Sequence, residues 1–158
     1  MSEIIYREAK ISDAEEIVLL WEKLRNVHEN INDYWKTIPN SNINYLNHIK
    51  EKIPSESVKF VVAINDKKII GYSWAEVQDD IPIYDRKICK INDLFVFEEF
   101  RGKGIAKELF KELFDFAKEK EAKYIVEYNG IKNESASKFY DSVNLDPIVE
   151  MRIKKVLE

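Results

Sequence analysis

The 158-residue sequence has one cysteine, Cys89, and only two histidines, four glycines and four prolines. A single cysteine excludes an internal disulfide and fits a reducing compartment. Cys89 falls inside a predicted strand, where a thiol reads as packing rather than as a nucleophile. No apolar run approaches the roughly 18 residues needed to span a bilayer. Met1-Ser2-Glu3-Ile4-Ile5-Tyr6-Arg7 lacks the positive segment and apolar stretch of a signal peptide. A cytoplasmic protein with no membrane partner is expected. The net charge is −4, and basic residues are scattered among acidic ones, which argues against an extended nucleic-acid surface. No run of like charge suggests a tail, and no metal site is assigned.

What is present describes an ordinary globular chain. Hydrophobic residues make up 45% and charged residues 34%, and the length suits one domain over 1–158 with a buried core. Ile4 to Glu8 reads as a first strand. Ser12-Asp13-Ala14-Glu15 is a capping-box pattern ahead of Ile17, Leu20, Leu24 and Val27 at helical spacing. The irregular region Asn30 to Ser57 carries Pro39, Pro54 and a predicted helix near Tyr45 to Lys52. Val58, Phe60, Val62 and Ile64 alternate as a strand, Asn65-Asp66-Lys67-Lys68 is turn chemistry, and Ile69 to Val77 returns as a hairpin. After a loop with Pro82, a long strand is expected over Lys87 to Phe97. A helix follows with Ile105, Leu109, Leu113 and Phe116 on one stripe. Tyr124 to Tyr128 (strand), Glu134 to Ser142 (helix) and Ile148 to Val156 (strand) complete the order β-α-α-β-β-β-α-β-α-β. That order predicts an α/β (α+β) domain, with a mixed, mostly antiparallel sheet of six to seven strands and about four flanking helices.

Two of the four glycines fall in one hexapeptide, Arg101-Gly102-Lys103-Gly104-Ile105-Ala106. It lies between the strand ending in Asp93-Leu94-Phe95-Val96 and the amphipathic helix. A helix opening there leaves its first N–H groups unpaired and presents a partial positive charge. Glycines let a ligand approach the backbone, so the turn suits an anion such as phosphate.

This hexapeptide resembles the Gln/Arg-x-x-Gly-x-Gly/Ala signature of the GCN5-related N-acetyltransferases. The piece Asn133 with Ala136-Ser137-Lys138-Phe139-Tyr140 resembles the family's second motif, and element order and length agree over nearly the whole chain. The resemblance implies an acetyl-CoA-dependent transfer of an acetyl group to an amine. It implies that the backbone N–H groups of Arg101, Gly102, Lys103, Gly104, Ile105 and Ala106 bind the pyrophosphate, with Lys103 and Lys107 adding charge. It implies that the strand edge at Leu94, Phe95 and Val96 pairs with the pantetheine arm, and that an N–H near Leu94 or Phe95 polarises the thioester carbonyl.

On the same resemblance Tyr140 protonates the departing thiolate. Asn133 lies seven residues earlier, about two helical turns, and contacts pantetheine. A half-buried aromatic at Tyr140 and a helix cap at Asn133 are the bland alternatives. Many members carry a glutamate base where this chain has Asn92, which cannot serve. Asp93 points to the opposite face by alternation and reads as structural. Glu76, Glu127, His28, Glu29 and a water chain stay open as routes for the amine proton.

The acceptor is expected in the variable region, with Tyr34, Trp35, Tyr45, Trp74 and Tyr84 available to line it and Asp79, Asp80 and Asp85 to attract a cationic amine. The expected acceptor is a small-molecule amine such as a polyamine, because the Asp93-to-Tyr140 layout is similar to diamine acetyltransferases. Protein N-termini or lysines, and a non-catalytic CoA-binding sensor module, are the alternatives. The family habit implies a homodimer, with Ile148 to Val156 as a pairing edge.

Overall fold

The computed structural model describes residues 3–81, 83–128, 132–148 and 152–154. The chain divides into two compact units, Met1–Tyr128 and Asn129–Glu158. The first holds a five-stranded sheet in the order β1-β2-β3-β4-β5, formed by β1 (Ile5–Glu8), β2 (Val58–Asn65), β3 (Lys68–Asp79), β4 (Lys87–Val96) and β5 (Tyr124–Val126). Neighbours are antiparallel up to β4, and β5 runs parallel to β4. Three helices belong to this unit: α1 (Ala14–Ile31), α2 (Ser41–Lys52) and α3 (Ile105–Glu119). The second unit holds α4 (Glu134–Ser142).

Five strands among the described residues is fewer than the six to seven expected. The expected strand at Ile148 to Val156 lies largely outside them, and 152–154 are not strand. Pro82 also lies outside them.

Local chemistry explains the elements. The β2–β3 hairpin closes with Asp66 at φ 48° and Lys67 at φ 67°, the double left-handed geometry that matches strand twist in a two-residue turn. The start of α1 differs from expectation. Ser12 and Asp13 fall in a short 3-10 turn (Ile11–Asp13), and the Asp13 carboxylate accepts from the Lys10 N–H at 2.7 Å and from Arg7 at 2.7 and 2.9 Å. The acid thus ties β1 to the helix start. The stripe Ile105, Leu109, Leu113 and Phe116 of α3 is buried as its spacing requires.

The two sheet faces have different partners. Phe60, Val62, Tyr72, Trp74 and Phe95 pack with Ile17, Leu20 and Ile49 of α1 and α2 in one core. On the other face Ser73 donates to the Leu109 carbonyl of α3 at 3.4 Å. Cys89 is fully buried, and burial pushes its thiol up to about 11, so it stays protonated and inert.

Candidate active site

The site is built around the second half of β4. β5 pairs with β4 only at Ile88, Cys89 and Lys90. From Ile91 to Val96 the strand keeps β3 on one side, and no described strand pairs with the other. A row of main-chain donors and acceptors is therefore left on an open edge, where an extended amide-bearing arm pairs as a strand would. Leu94, Phe95 and Val96 lie on this stretch. Phe95 and Val96 have buried side chains, and the Val96 carbonyl already accepts from Arg101 Nε, which leaves the Leu94 main chain and the Val96 N–H on the open edge.

A bulge interrupts β4 ahead of that stretch. Trp74 faces Asp93 while Ala75 faces Ile91, so Asn92 is the extra residue. A bulge bends its strand and re-aims the next side chains, and bulges concentrate beside active sites. Asn92, which cannot serve as a base, is thus the bulged residue. Its amide reaches only the Lys90 carbonyl, at 3.5 Å.

Asp93, one residue later, turns into the core under α1 and α2. Its Oδ2 accepts from the Tyr45 hydroxyl of α2 and from Trp74 Nε1 at 2.7 Å. Burial raises the pKa of Asp93, while the bonds from its aromatic neighbours and the nearby His28 pull it back down. Tyr72 lies in the same cluster, its hydroxyl buried without a hydrogen bond of regular geometry. Burial first, then the charge of Asp93, pushes the phenols of Tyr45 and Tyr72 well up. The sequence offered no signal for this cluster beyond alternation at Asp93.

The turn after β4 carries the expected conformation. Gly102 has φ 73° and Gly104 φ 83°, both left-handed, and Gly104 caps α3. A Cβ built on either glycine meets nothing within 4 Å. The space over the turn is open, and α3 begins at Ile105, so the Ile105 and Ala106 N–H groups have no partner within their own helix. The Gly104 carbonyl accepts from Lys107 at 3.0 Å and Glu108 at 3.2 Å, the first bonds of the helix. Open space and free donors at a helix N-terminus fit a pyrophosphate.

The basic side chains brace the turn. Arg101 Nε donates to the Val96 carbonyl at 3.0 Å, and its guanidinium lies 5.7 Å from the Phe95 ring centre. Lys103 donates to the Glu99 carbonyl at 2.8 Å. Lys107 is exposed on the first turn of α3.

The open candidates for the amine proton separate by their partners. Glu76 is paired with Lys52 at 2.6 Å. Glu29 accepts from the Thr37 hydroxyl at 2.8 Å and the Thr37 N–H at 3.1 Å, which lowers its pKa. Burial lowers the pKa of His28. Glu127 immediately follows the last paired residue of β5, at the fork where β4 and β5 part. Burial raises its carboxyl to about 7.

The acceptor candidates scatter. Tyr45 and Trp74 meet at Asp93; Tyr34 and Trp35 belong to a 3-10 turn (Asp33–Trp35), and Tyr84 stacks under Arg86 at 4.3 Å. Asp80 is held by Arg86 at 2.6 Å, and the Ile81 N–H and Arg86 lower its pKa. Asp79 and Asp85 are exposed. In the second unit Asn133 caps α4, accepting from the Ala136 N–H at 3.2 Å, and Tyr140 lies two turns on with its ring 5.2 Å from Phe139. Among the described residues no three His, Cys, Asp or Glu side chains group as a metal site, and no helix is long and apolar enough to cross a membrane.

Comparisons with known proteins show the family and the fold. Residues 21–144 match the model of the acetyltransferase (GNAT) family. An uncharacterized N-acetyltransferase of Archaeoglobus fulgidus is 30% identical over 100 residues, 63% of this chain and 67% of the relative. One of Methanocaldococcus jannaschii is 26% identical over 87 residues, which cover 55% of this chain and only 38% of that protein. A mutant protein of Bacillus halodurans shares the fold with a TM-score of 0.85 at 24% identity, over 97% of this chain and 99% of that one. An aminoglycoside N-acetyltransferase solved with CoA shares it at 0.79 and 17% identity, over 99% of this chain and 96% of that one. The chain belongs to the acetyltransferase (GNAT) family.

Proposed function

We propose that this chain is an N-acetyltransferase that moves the acetyl group of acetyl-CoA to the primary amine of a small molecule. The observation that carries the reading is the open β4 edge running into the glycine turn at the start of α3. It offers main-chain groups for both an amide-bearing arm and a pyrophosphate. The aminoglycoside N-acetyltransferase that shares the fold supports a small-molecule amine as acceptor. In this reading Leu94 to Val96 hold the arm, Arg101 to Ala106 and Lys107 the phosphates, and Asn133 the pantetheine.

In this reading the amine nitrogen attacks the thioester carbonyl carbon. A C–N bond forms and the C–S bond breaks. The β4 amide near Leu94 or Phe95 stabilises the charge on the carbonyl oxygen. Tyr140, by its match to the family's second motif, gives its proton to the leaving sulfur. Glu127 is the group proposed to take the amine proton. Its place at the fork and a carboxyl near neutrality suit a base.

A polyamine acceptor finds less support. Glu76 and Asp80 are paired with Lys52 and Arg86, and Asp93 is bonded within the core. A reducing compartment, the cytoplasm, is proposed on the single buried thiol, and a homodimer on the family habit. The test is release of CoA thiol from acetyl-CoA over polyamines, amino acids, aminoglycosides and N-terminal peptides, with the acetylated product identified by mass. Acetylation of a small amine supports the reading. Acetylation of peptides alone would move the acceptor to a protein N-terminus, and binding without turnover on any amine would leave a CoA-sensing module.

A further inference from the structure

Lys90 is the last residue of β4 that pairs with β5, where it stands opposite Val126. On its other side it faces Glu76 of β3. Directly opposed residues share a face of the sheet, and Glu76 turns to Lys52 of α2. Lys90 therefore projects from the α2 side of the sheet, at the point where the ladder ends and the open edge begins.

Three observations define what this ammonium can do. First, the acids around it are engaged elsewhere. Glu76, directly across from it, is paired with Lys52 at 2.6 Å, and Asp80, just after β3, with Arg86 at 2.6 Å. Glu127, which follows Val126, is shifted by burial and by no cation. Among the described residues no carboxylate pairs with Lys90, and its one ring partner is Tyr128.

Second, the ammonium leans toward the reacting end. Its Nζ lies 5.4 Å from the centre of the Tyr128 ring. β5 runs parallel to β4, and Tyr128 comes after Val126, the partner of Lys90. The side chain is thus carried forward along β4, in the direction of Leu94. Between Lys90 and Leu94 the strand rise gives about 13 Å, which the bulge at Asn92 shortens. A small acceptor with its amine at the thioester has its far end within reach of Lys90.

Third, the surroundings are rings and cations. Tyr128 is 66% exposed. Nearer the start of β4 the Arg86 guanidinium lies 4.3 Å from the Tyr84 ring centre and 5.1 Å from that of Tyr124. A lysine resting on a ring keeps its N–H donors free for an anion. A polycation meets like charge at Lys90, with Glu76 and Asp80 already paired.

We infer that Lys90 binds an anionic group, a carboxylate or a phosphate, carried by the acceptor, and so selects an anionic amine over a neutral or polycationic one. The inference rests on the transferase reading for the amine and on the placement of Lys90 for the anion.

Matched pairs of acceptors test it. 4-Aminobutyrate is compared with butylamine for a carboxylate, phosphoethanolamine with ethanolamine for a phosphate, and spermidine serves as the polycation. Thiol release gives kcat/KM for each. In the native chain an anionic amine is expected to exceed its neutral counterpart and spermidine by roughly fivefold or more, through KM rather than kcat. The pair that shows the preference tells carboxylate from phosphate. Lys90→Met keeps a stem over Tyr128 without the charge and is expected to abolish the preference, and Lys90→Arg to restore it. KM for acetyl-CoA reports the folding of each variant. No preference for either anionic amine, or a preference that K90M leaves intact, would overturn the inference while leaving the transferase reading in place. The anionic amines are also titrated by calorimetry into the native and K90M chains, both saturated with CoA. Binding that K90M weakens, with no thiol released by any amine, would keep the anion site and remove the transferase reading.

Discussion

The Tyr45 hydroxyl on α2 and the Asp93 carboxylate on β4 are hydrogen-bonded across the core, and Trp74 on β3 donates to the same Asp93 oxygen. One oxygen thus joins α2 to β4, directly after the bulge at Asn92. A buried carboxyl with two donors is stable only while both stay in place.

Tyr45→Phe removes one donor and leaves a buried acceptor short of a partner. The expected loss is about 1–3 kcal/mol of stability, read from the urea midpoint. An unchanged midpoint would mean that Tyr45 does not hold Asp93.

Gly71 sits where β3 faces Val96. A Cβ there would lie 2.9 Å from the Phe95 carbonyl oxygen and 3.1 Å from Val96 Cγ2. The nearer contact is backbone, so β4 must shift. Gly71→Ala is expected to cost about 1–3 kcal/mol by overpacking. Because the shift falls on the open edge, KM for acetyl-CoA is expected to rise more than KM for the amine. Thermal melts and two-substrate kinetics check both effects.

Glu127 gives a pH dependence with a definite sign. Its carboxyl is raised from 4.5 to about 7 by burial. Between those values the folded chain holds a proton that the unfolded chain has released, so stability falls as pH rises through that window. As a base it must be ionised, so kcat/KM is expected to rise with pH to a plateau above about 7. Glu127→Gln is expected to remove the stability slope and to lower kcat/KM by roughly 10²-fold or more. A variant with native rate and profile would leave the proton to a water chain.

Tyr140→Phe keeps the ring of α4 and removes the only hydroxyl assigned to the leaving thiolate. Acetyl-CoA binding is expected to hold while turnover falls well over tenfold. Turnover at the native level would return Tyr140 to a packing role.

Local chemistry made the glycine turn, α3 and the β2–β3 hairpin legible in the sequence. The left-handed Gly102 and Gly104, the stripe of α3 and the Asp66-Lys67 turn each depend on a few adjacent residues. Features set by distant pairing were not legible. The bulge at Asn92 exists because of the register between β3 and β4, and it decides that Asp93 enters the core. Nothing near Asp93 in sequence names Tyr45, 48 positions away, as its partner. Glu127 stood among several open carboxylates until burial and the end of the β4–β5 ladder set it apart. Ser12 matched a capping pattern, yet Asp13 takes that work by reaching back to Lys10 and Arg7.

The central claim is that main-chain groups at the end of β4 and the start of α3 grip acetyl-CoA. Gly104→Asp tests it most directly. The position has φ 83° and open space around it, so an aspartate there costs about 1–2 kcal/mol of backbone strain and meets no protein atom. Its carboxylate instead occupies the place of the pyrophosphate with like charge. Calorimetric titration of acetyl-CoA is expected to show saturable binding to the native chain and none to the folded variant. Equal binding to both, or no binding to the native chain, would contradict it.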